Sequence, residues 1–139
     1  MTINESCIFC KIALRDAPSS ILYEDASVLA FLDIRPLSRG HTLVIPKCHY
    51  VDIFDIPKQD LQATHVAAKT LSVAIKAATN ADGISIIQQN GKAAGQEIFH
   101  LHVHVVPRFS GQTMPSFKEL SIAERKELDE IASKIKQYI

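Results

Sequence analysis

The sequence predicts an α+β fold: an antiparallel sheet of about five strands, a long central helix and a C-terminal helix. Short apolar runs bounded by turn-forming residues follow one another along the chain, which is typical of strands joined by short turns. One long segment without Gly or Pro carries apolar residues at helical spacing, and a second such stripe lies near the C-terminus. Neighbouring strands joined by short turns, combined with two helices, indicate an α+β domain with an antiparallel sheet.

The first half of the chain supplies three of the predicted strands. Residues 7–14, CIFCKIAL, form a short opening turn or helix. Residues 21–34 contain two apolar runs separated by Glu-Asp-Ala-Ser, which indicates a hairpin. Pro36 and Gly40 mark a turn. Thr42–Pro46 is then a third strand, which its proline ends.

The second half supplies both long helices and two further strands. Lys58–Thr79 is an amphipathic helix. Residues 84–90 form a fourth strand, and residues 97–106 form a fifth after a glycine-bearing loop. Ser121 opens the Ser-x-x-Glu pattern of a capping box, so we expect the last helix over residues 121–137.

Composition narrows the class of protein before any motif is considered. The 139 residues suit a single domain over 1–139, with a core at about 7–108. Fifteen basic and fifteen acidic side chains give no net charge, so a nucleic-acid partner is not expected. No apolar stretch approaches the ~20 residues that span a bilayer, so no membrane partner is expected. Three cysteines without an export signal argue against a disulfide framework and predict a cytoplasmic protein, with the nucleus as an alternative for a eukaryotic source.

The most informative stretch is FHLHVHVVP, residues 99–107, in which three histidines alternate with three apolar residues. Period 2 indicates a strand whose apolar side chains face the core and whose imidazoles share the other side. The histidines are His100, His102 and His104. They fit either a metal site or covalent catalysis by one imidazole, and their spacing leaves these two readings close to even. A row of solvent-facing histidines without function is the least favoured alternative.

Phosphoryl transfer is the covalent chemistry that imidazole suits. With an unperturbed pKa of ~6.5 it is largely neutral and nucleophilic at cytosolic pH, and the N–P bond it forms is labile. The loop at residues 90–96 directly precedes the histidines, and its small residues would let backbone N–H groups approach an anion. The sequence contains no P-loop, no Gly-x-Gly-x-x-Gly and no His-Glu-x-x-His motif.

Four segments together resemble the histidine triad (HIT) family. They are the His-φ-His-φ-His-φ-φ string (φ is apolar), CIFCKI, YEDASVLAFLDIRPLSRGHTLVIPKCH and NGKAAGQEIFHLHVHVVPR, in the family's order over residues 7–108. The CIFCKI and FLDI segments are similar to the Hint-like branch of nucleoside phosphoramidases and nucleotide hydrolases.

The resemblance implies a different role for each triad histidine. His102 matches the nucleophile that attacks the α-phosphate and becomes a nucleotidyl-histidine. His104 matches the member that helps to hold the phosphate site. His100 matches the member that supports or orients the site, so all three are catalytic candidates.

The resemblance also implies the nucleotide contacts. Asp33 matches the carboxylate that accepts the ribose hydroxyls, with Ile34 and Phe9 beside the base and sugar. The matching phosphate loop contains Asn90, Gly95, Gln96 and Glu97. Glu97 stands where animal Hint proteins have a serine that assists the leaving amine, and a carboxylate near a phosphate repels it unless it is protonated or turned away.

Cys7 and Cys10 form a Cys-x-x-Cys pair, which by itself indicates either a metal site or two buried thiols. In this region the chain is similar to metal-binding members of the superfamily. Those proteins complete the site with two histidines, one that matches His49 and the first triad histidine, which is His100 here. The resemblance therefore implies a structural zinc, because a Cys2His2 set is a closed tetrahedron with no open position for water. The resemblance also implies that the chemical step itself requires no metal.

The predicted function is hydrolysis of purine nucleoside phosphoramidates or related nucleotide conjugates, releasing a nucleoside monophosphate from His102. The expected partners are a purine nucleotide substrate, such as an AMP or GMP conjugate, and a second copy of the chain in a homodimer. The alternatives are a dinucleoside polyphosphate hydrolase of the Fhit-like branch, a nucleotide-binding regulatory protein with incidental turnover, and a hydrolase with catalytic zinc.

Overall fold

The structure is a computed structural model that describes residues 2–139. Five strands form one antiparallel sheet in the order β1-β2-β3-β5-β4. The strands are β1 (Ile21–Glu24), β2 (Val28–Leu32), β3 (Thr42–Pro46), β4 (Gly83–Gln88) and β5 (Val103–Arg108), and the helices are α1 (Ile8–Ala13), α2 (Lys58–Thr79) and α3 (Arg125–Lys136). The predicted α+β class, the sheet, the long helix and the C-terminal helix are confirmed. Within residues 2–139, no helix combines the length and apolar character needed to cross a bilayer.

Both faces of the sheet are covered, but by different elements. On one face, α2 and α3 pack against alternate strand residues and form the larger apolar core. On the other face, α1 packs over a smaller cluster that includes Phe9, Leu29, Phe31 and Leu43. Strands β2 and β3 are therefore buried along their whole length. The face under α1 is the one that carries the histidines.

One row of side chains crosses the sheet on the α1 face, since residues opposite each other in adjacent strands share a face. From β1 to β4 the row is Ile21, Phe31, Leu43, His104 and Ile87. Strand spacing is about 4.8 Å. This register places the last triad histidine on the same face as the apolar residues of the smaller cluster.

The fifth strand is shorter than predicted. It begins at Val103, so His100 and His102 lie in the connection that enters it and not in the strand itself. The ladders with β3 and β4 both stop at Val103, and the Leu101 N–H instead bonds the carbonyl of Tyr50 at 2.7 Å. The period-2 alternation still holds through this connection, but the three imidazoles are also buried, with exposed fractions of only 0, 7 and 5 %.

The predicted start of the C-terminal helix is wrong. Helix α3 begins at Arg125, with Glu124 as its N-cap, and the expected capping box at Ser121 does not form. The N–H of Ala123 donates to the carbonyl of Ile34 at 2.8 Å, which keeps this segment against the β2–β3 connection. The tertiary contact therefore replaces the local cap. The expected apolar face of the helix is buried through Leu128, Ile131 and Ile135, whereas Tyr138 is exposed.

Candidate functional site

A cavity of about 390 Å³ opens on the α1 face of the sheet. His102 and His104 line it together with the loop residues Gly95 and Glu97, and its remaining wall is mainly apolar. Phe9 makes edge contacts with His102 and with Phe31, at ring-centroid distances of 5.2 and 5.4 Å. The cavity thus joins a histidine-lined end to a mainly apolar slot.

His100 turns away from this cavity. Its Nε2–H donates to the carbonyl oxygen of Pro46 at 2.8 Å, so its Nδ1 holds the lone pair. That Nδ1 lies 3.4 Å from the Sγ of Cys7 and 3.6 Å from the Sγ of Cys10. Burial lowers the pKa of His100 to about 4, which keeps the ring neutral and able to act as a ligand.

His102 has the opposite arrangement of its two nitrogens. Its Nδ1–H donates to the backbone carbonyl of His100 at 2.7 Å, which leaves the lone pair on Nε2. Burial lowers the pKa of this ring, so the neutral form predominates near pH 7. A buried neutral imidazole with an unshared lone pair in a cavity can act as a nucleophile.

His104 is oriented by a fourth histidine, His41. The N–H of Leu37 donates to His41 Nδ1 at 3.0 Å, so the His41 Nε2–H must donate to His104 Nδ1, 2.9 Å away. The proton of His104 is therefore on Nε2, where it is a hydrogen-bond donor. Burial lowers the pKa of both His41 and His104 to about 3, so neither ring carries charge near neutral pH.

Sequence reasoning assigned no role to His41. It stands alone before β3, and its partner His104 is 63 residues away in the sequence. It lies in one of the segments that resemble the family, and it is a polar residue beside a fully buried strand. Such a residue must find a hydrogen-bond partner, but the sequence does not say which one.

Asp33 lines the cavity beside this pair. Its Oδ1 accepts the backbone N–H of Arg35 at 2.9 Å, and its Oδ2 lies 3.6 Å from His41 Nε2. Burial raises the pKa of the Asp33 carboxyl to about 6, against the lowering effect of Arg35 and with a smaller raising contribution from Glu97. The group can therefore accept or donate hydrogen bonds near neutral pH. Ile34 also lines the cavity, as the resemblance implies.

The loop before the histidines, residues 90–96, is held in place by hydrogen bonds of its own side chains. Gln96 is buried, and its amide donates to the carbonyls of Val51 and Ile98 and accepts the Gly91 N–H. The Asn90 amide oxygen accepts the N–H of Ile53 and an amide N–H of Gln88. The side chains of these two predicted contact residues therefore brace the loop. The predicted residues Gly95 and Glu97 line the cavity, and so does Gln89, which was not predicted.

Gly95 is required by the backbone at its position. Its φ is +95°, and a Cβ there would come within 2.5 Å of the Gln89 side-chain nitrogen. Gln89 lines the cavity but has no motif of its own in the sequence. We expect any substitution of Gly95 to distort the wall that faces the histidines.

Cys7, Cys10, His49 and His100 meet in one cluster, with their ligand atoms all within 4.8 Å of one another. Three sulfur–nitrogen distances in this cluster are 3.4, 3.4 and 3.6 Å. Ideal Zn–S and Zn–N bonds at a tetrahedral angle give a sulfur–nitrogen edge of about 3.6 Å. The four side chains could therefore hold one tetrahedral metal ion with little movement.

A second group of close polar atoms, Asp33, His41 and His104, also meets the distance criterion for a metal. Its closeness has a different cause, because the two imidazole nitrogens share a hydrogen bond at 2.9 Å. A metal ion there would have to displace that proton. The group is better described as the hydrogen-bonded wall of the cavity.

The profile of the HIT domain matches residues 15–111, more than half of the chain. The chain belongs to the histidine triad family. Among its HIT relatives, the adenylylsulfatase HINT3 of Arabidopsis thaliana is 36 % identical, in an alignment covering 99 % of this chain and 72 % of that protein.

Two solved HIT structures share the whole fold. A Hit-like protein of Bartonella henselae, crystallised with an unknown ligand, has a TM-score of 0.91 and 36 % identity, covering 99 % of this chain and all of that one. A zinc-bound histidine triad family protein of Mycobacterium smegmatis has a TM-score of 0.85 and 40 % identity, covering 96 % of this chain and 92 % of that one. The HIT fold therefore extends beyond the matched domain to nearly the full length of the chain.

Proposed function

We propose that this HIT protein hydrolyses purine nucleoside phosphoramidates or related nucleotide conjugates through a nucleotidyl intermediate on His102. The observation that carries the proposal is the buried neutral ring of His102, whose Nδ1–H is tied to the His100 carbonyl so that Nε2 is free. The family supports the reaction class, since HIT proteins are typically nucleotide hydrolases.

In the first step, His102 Nε2 attacks the α-phosphorus. A nitrogen–phosphorus bond forms, the bond to the leaving amine breaks, and the amine takes up a proton from water. The His104 Nε2–H donates a hydrogen bond to a non-bridging oxygen, and the uncharged ring supplies this donor without a metal. In the second step, water attacks phosphorus, the nitrogen–phosphorus bond breaks, and the nucleoside monophosphate and a proton leave.

The rest of the cavity suits a nucleoside. Asp33 lies where its carboxyl can accept ribose hydroxyls, and Phe9, Phe31 and Ile34 offer apolar surface to a base. Aromatic edges and faces of this kind pack well against a planar ring. We propose a purine because the slot is long and mainly apolar.

We also propose that Cys7, Cys10, His49 and His100 hold a structural zinc. The donor set and its near-tetrahedral spacing support zinc, as does the zinc-bound relative from Mycobacterium smegmatis. When bound, the ion would cross-link α1 to the connection that carries His102, and it would leave His102 and His104 free for chemistry. None of the three cysteines forms a disulfide within residues 2–139, which suits a reducing compartment, so we propose a cytoplasmic location.

The substrate class can be tested by comparing AMP and GMP amine conjugates with diadenosine polyphosphates. We expect faster turnover of the amine conjugates, because Glu97 lines the cavity and its exposed carboxylate repels a polyphosphate leaving group. A Glu97→Gln variant should raise polyphosphate turnover relative to amine-conjugate turnover by a few-fold. The measurement is kcat/KM for each substrate by chromatography of the released nucleotide.

Faster turnover of the polyphosphates by the unaltered protein would favour a Fhit-like activity. Tight nucleotide binding with equally slow release from the wild type and from a His102→Ala variant would favour a regulatory protein. Either result would contradict the proposed function. As a matched control, Glu124→Gln removes an exposed carboxylate outside the cavity and should leave the substrate ratio unchanged.

We propose that the second copy in a homodimer pairs along β4. This strand is at the edge of the sheet, and apolar side chains beside it are exposed: Ile86 at 47 %, and Val66 and Val73 on α2 at 66 and 64 %. An open apolar strand edge is a surface that proteins usually cover.

Light scattering should give the dimer mass for the wild type and the monomer mass for Ile86→Lys. Leu14→Lys, a change at an exposed residue after α1, should remain dimeric, and a monomeric wild type would contradict the proposal.

A further inference from the structure

Two residues that line the cavity lie outside the matched HIT domain. The profile ends at residue 111, yet Phe117 and Arg125 both line the cavity. The Phe117 ring lies 5.2 Å from the His104 ring, and its carbonyl accepts a hydrogen bond from the Arg35 guanidinium at 3.3 Å. The C-terminal segment of this chain therefore forms part of its own binding site.

Arg125 is held at the edge of the sheet that is remote from the triad. Its Nη1 donates to the Ser20 hydroxyl at 2.8 Å, and that hydroxyl donates to Asp129 at 2.6 Å. Ser20 directly precedes Ile21, which stands three strands away from His104 in the row across the sheet. Three strand spacings are about 14 Å. This is room for a phosphate at the histidines, then a ribose, then a base whose outer edge faces Arg125.

The guanidinium retains most of its donors for a ligand. Arginine has five N–H donors and no acceptor, and the Ser20 contact uses one of them. Among residues 2–139, no carboxylate lies within 4.0 Å of the Arg125 guanidinium. The neighbouring wall is apolar at Ile12 and Phe31, and Ser19 adds a single hydroxyl. Arg125 is therefore the main polar feature offered to the far edge of a bound base.

A guanidinium, which only donates hydrogen bonds, can distinguish guanine from adenine. Guanine presents two adjacent acceptors, O6 and N7, which suit a bidentate guanidinium contact. Adenine keeps N7 but replaces O6 by an amino donor, which the guanidinium repels. The two bases stack equally well against an apolar wall, so a difference between them would have to come from this edge.

We propose that Arg125 reads the O6/N7 edge of the base and makes the site prefer guanosine over adenosine nucleotides. The inference rests on the proposed nucleotide hydrolysis and specifies its substrate. Good bidentate contacts of this type correspond to a preference on the order of tenfold.

The test compares guanosine and adenosine 5′-phosphoramidates that carry the same amine. We expect a guanosine-to-adenosine ratio of kcat/KM on the order of 10 for the wild type and near 1 for Arg125→Met, which keeps the side-chain length but removes the donors. Lys126→Met changes the next, exposed residue of α3 and should keep the wild-type ratio. An equal loss of activity on both substrates in Arg125→Met would show that Arg125 only supports the fold, and it would overturn the proposal.

Binding of the products makes the test independent of turnover. Calorimetry should show GMP binding more tightly than AMP to the wild type, and this difference should disappear in Arg125→Met. If neither phosphoramidate is hydrolysed but the GMP preference is present and depends on Arg125, the proposed reaction fails while the inference about Arg125 stands. Equal binding of GMP and AMP to the wild type would overturn the inference, whatever the protein hydrolyses.

Discussion

Replacing His102 by alanine is expected to lower the release of nucleoside monophosphate from an amine conjugate by about 10⁴-fold or more, since loss of the nucleophile removes the covalent pathway. Within residues 2–139, His102 is the only triad imidazole that lines the cavity with an unshared lone pair on a ring nitrogen, its Nε2. His104 accepts from His41, and His100 faces the cysteines. Measurement of kcat by rapid chromatography checks this result.

The intermediate gives a second readout of the same prediction. A brief reaction of the wild type, quenched in base because a phosphorus–nitrogen bond to imidazole is acid-labile, should yield a peptide with one nucleotidyl group on His102. Mass spectrometry locates it. The control is His65→Ala, which removes an exposed histidine of α2 that bonds Gln88, and it should form the adduct normally. An adduct on another residue, or none with full turnover, would contradict the mechanism.

Removal of the proposed structural zinc is expected to have the second large effect, on the stability of the fold. Structural zinc in small peptides supplies about 10–16 kcal/mol of binding free energy, which is also folding free energy. This chain has its own apolar core, so we expect a smaller loss of several kcal/mol and a fall in Tm of ten degrees or more. Elemental analysis should find one zinc per chain, and Cys10→Ser should lose both the zinc and the stability.

The third thiol supplies the matched control for that experiment. Cys48 lies outside the four-residue cluster, so Cys48→Ser should retain zinc and unfold near the wild-type temperature. The outcome also separates structural from catalytic zinc. If chelation abolished activity while Tm stayed constant, the metal would belong to the chemistry, and the structural proposal would be wrong.

Much of the fold was predictable because its signals are local. The predicted bounds of α2 and β3 match the structure, since Gly and Pro mark their ends and hydrophobic periodicity marks their faces. The hairpin is also confirmed, and Asp25 closes it by accepting the N–H groups of Ser27 and Val28. The prediction of where α3 begins was wrong, because a hydrogen bond from the Ala123 N–H to the Ile34 carbonyl competes with the local capping signal.

The candidate site was predictable in composition and less so in arrangement. The positions named from the resemblance do gather around the cavity and the cysteine cluster, although Asn90 and Gln96 turn their side chains into the loop behind the wall. Gln89, His41, Phe117 and Arg125 were missed. Phe117 and Arg125 lie outside the segments that resemble the family, and His41 and Phe117 reach His104 from distant parts of the chain.

The sequence by itself determined the fold class, the family and the set of histidines and cysteines, because these depend on residue type, order and spacing along the chain. Only the tertiary structure decided the orientation and the tautomer of each triad ring. The Pro46 carbonyl directs His100 to the cysteines, the His100 carbonyl frees Nε2 of His102, and His41 places the proton of His104. The physical reason is that an imidazole has two nitrogens and one proton, and its tautomer is set by hydrogen-bond partners brought close by the fold.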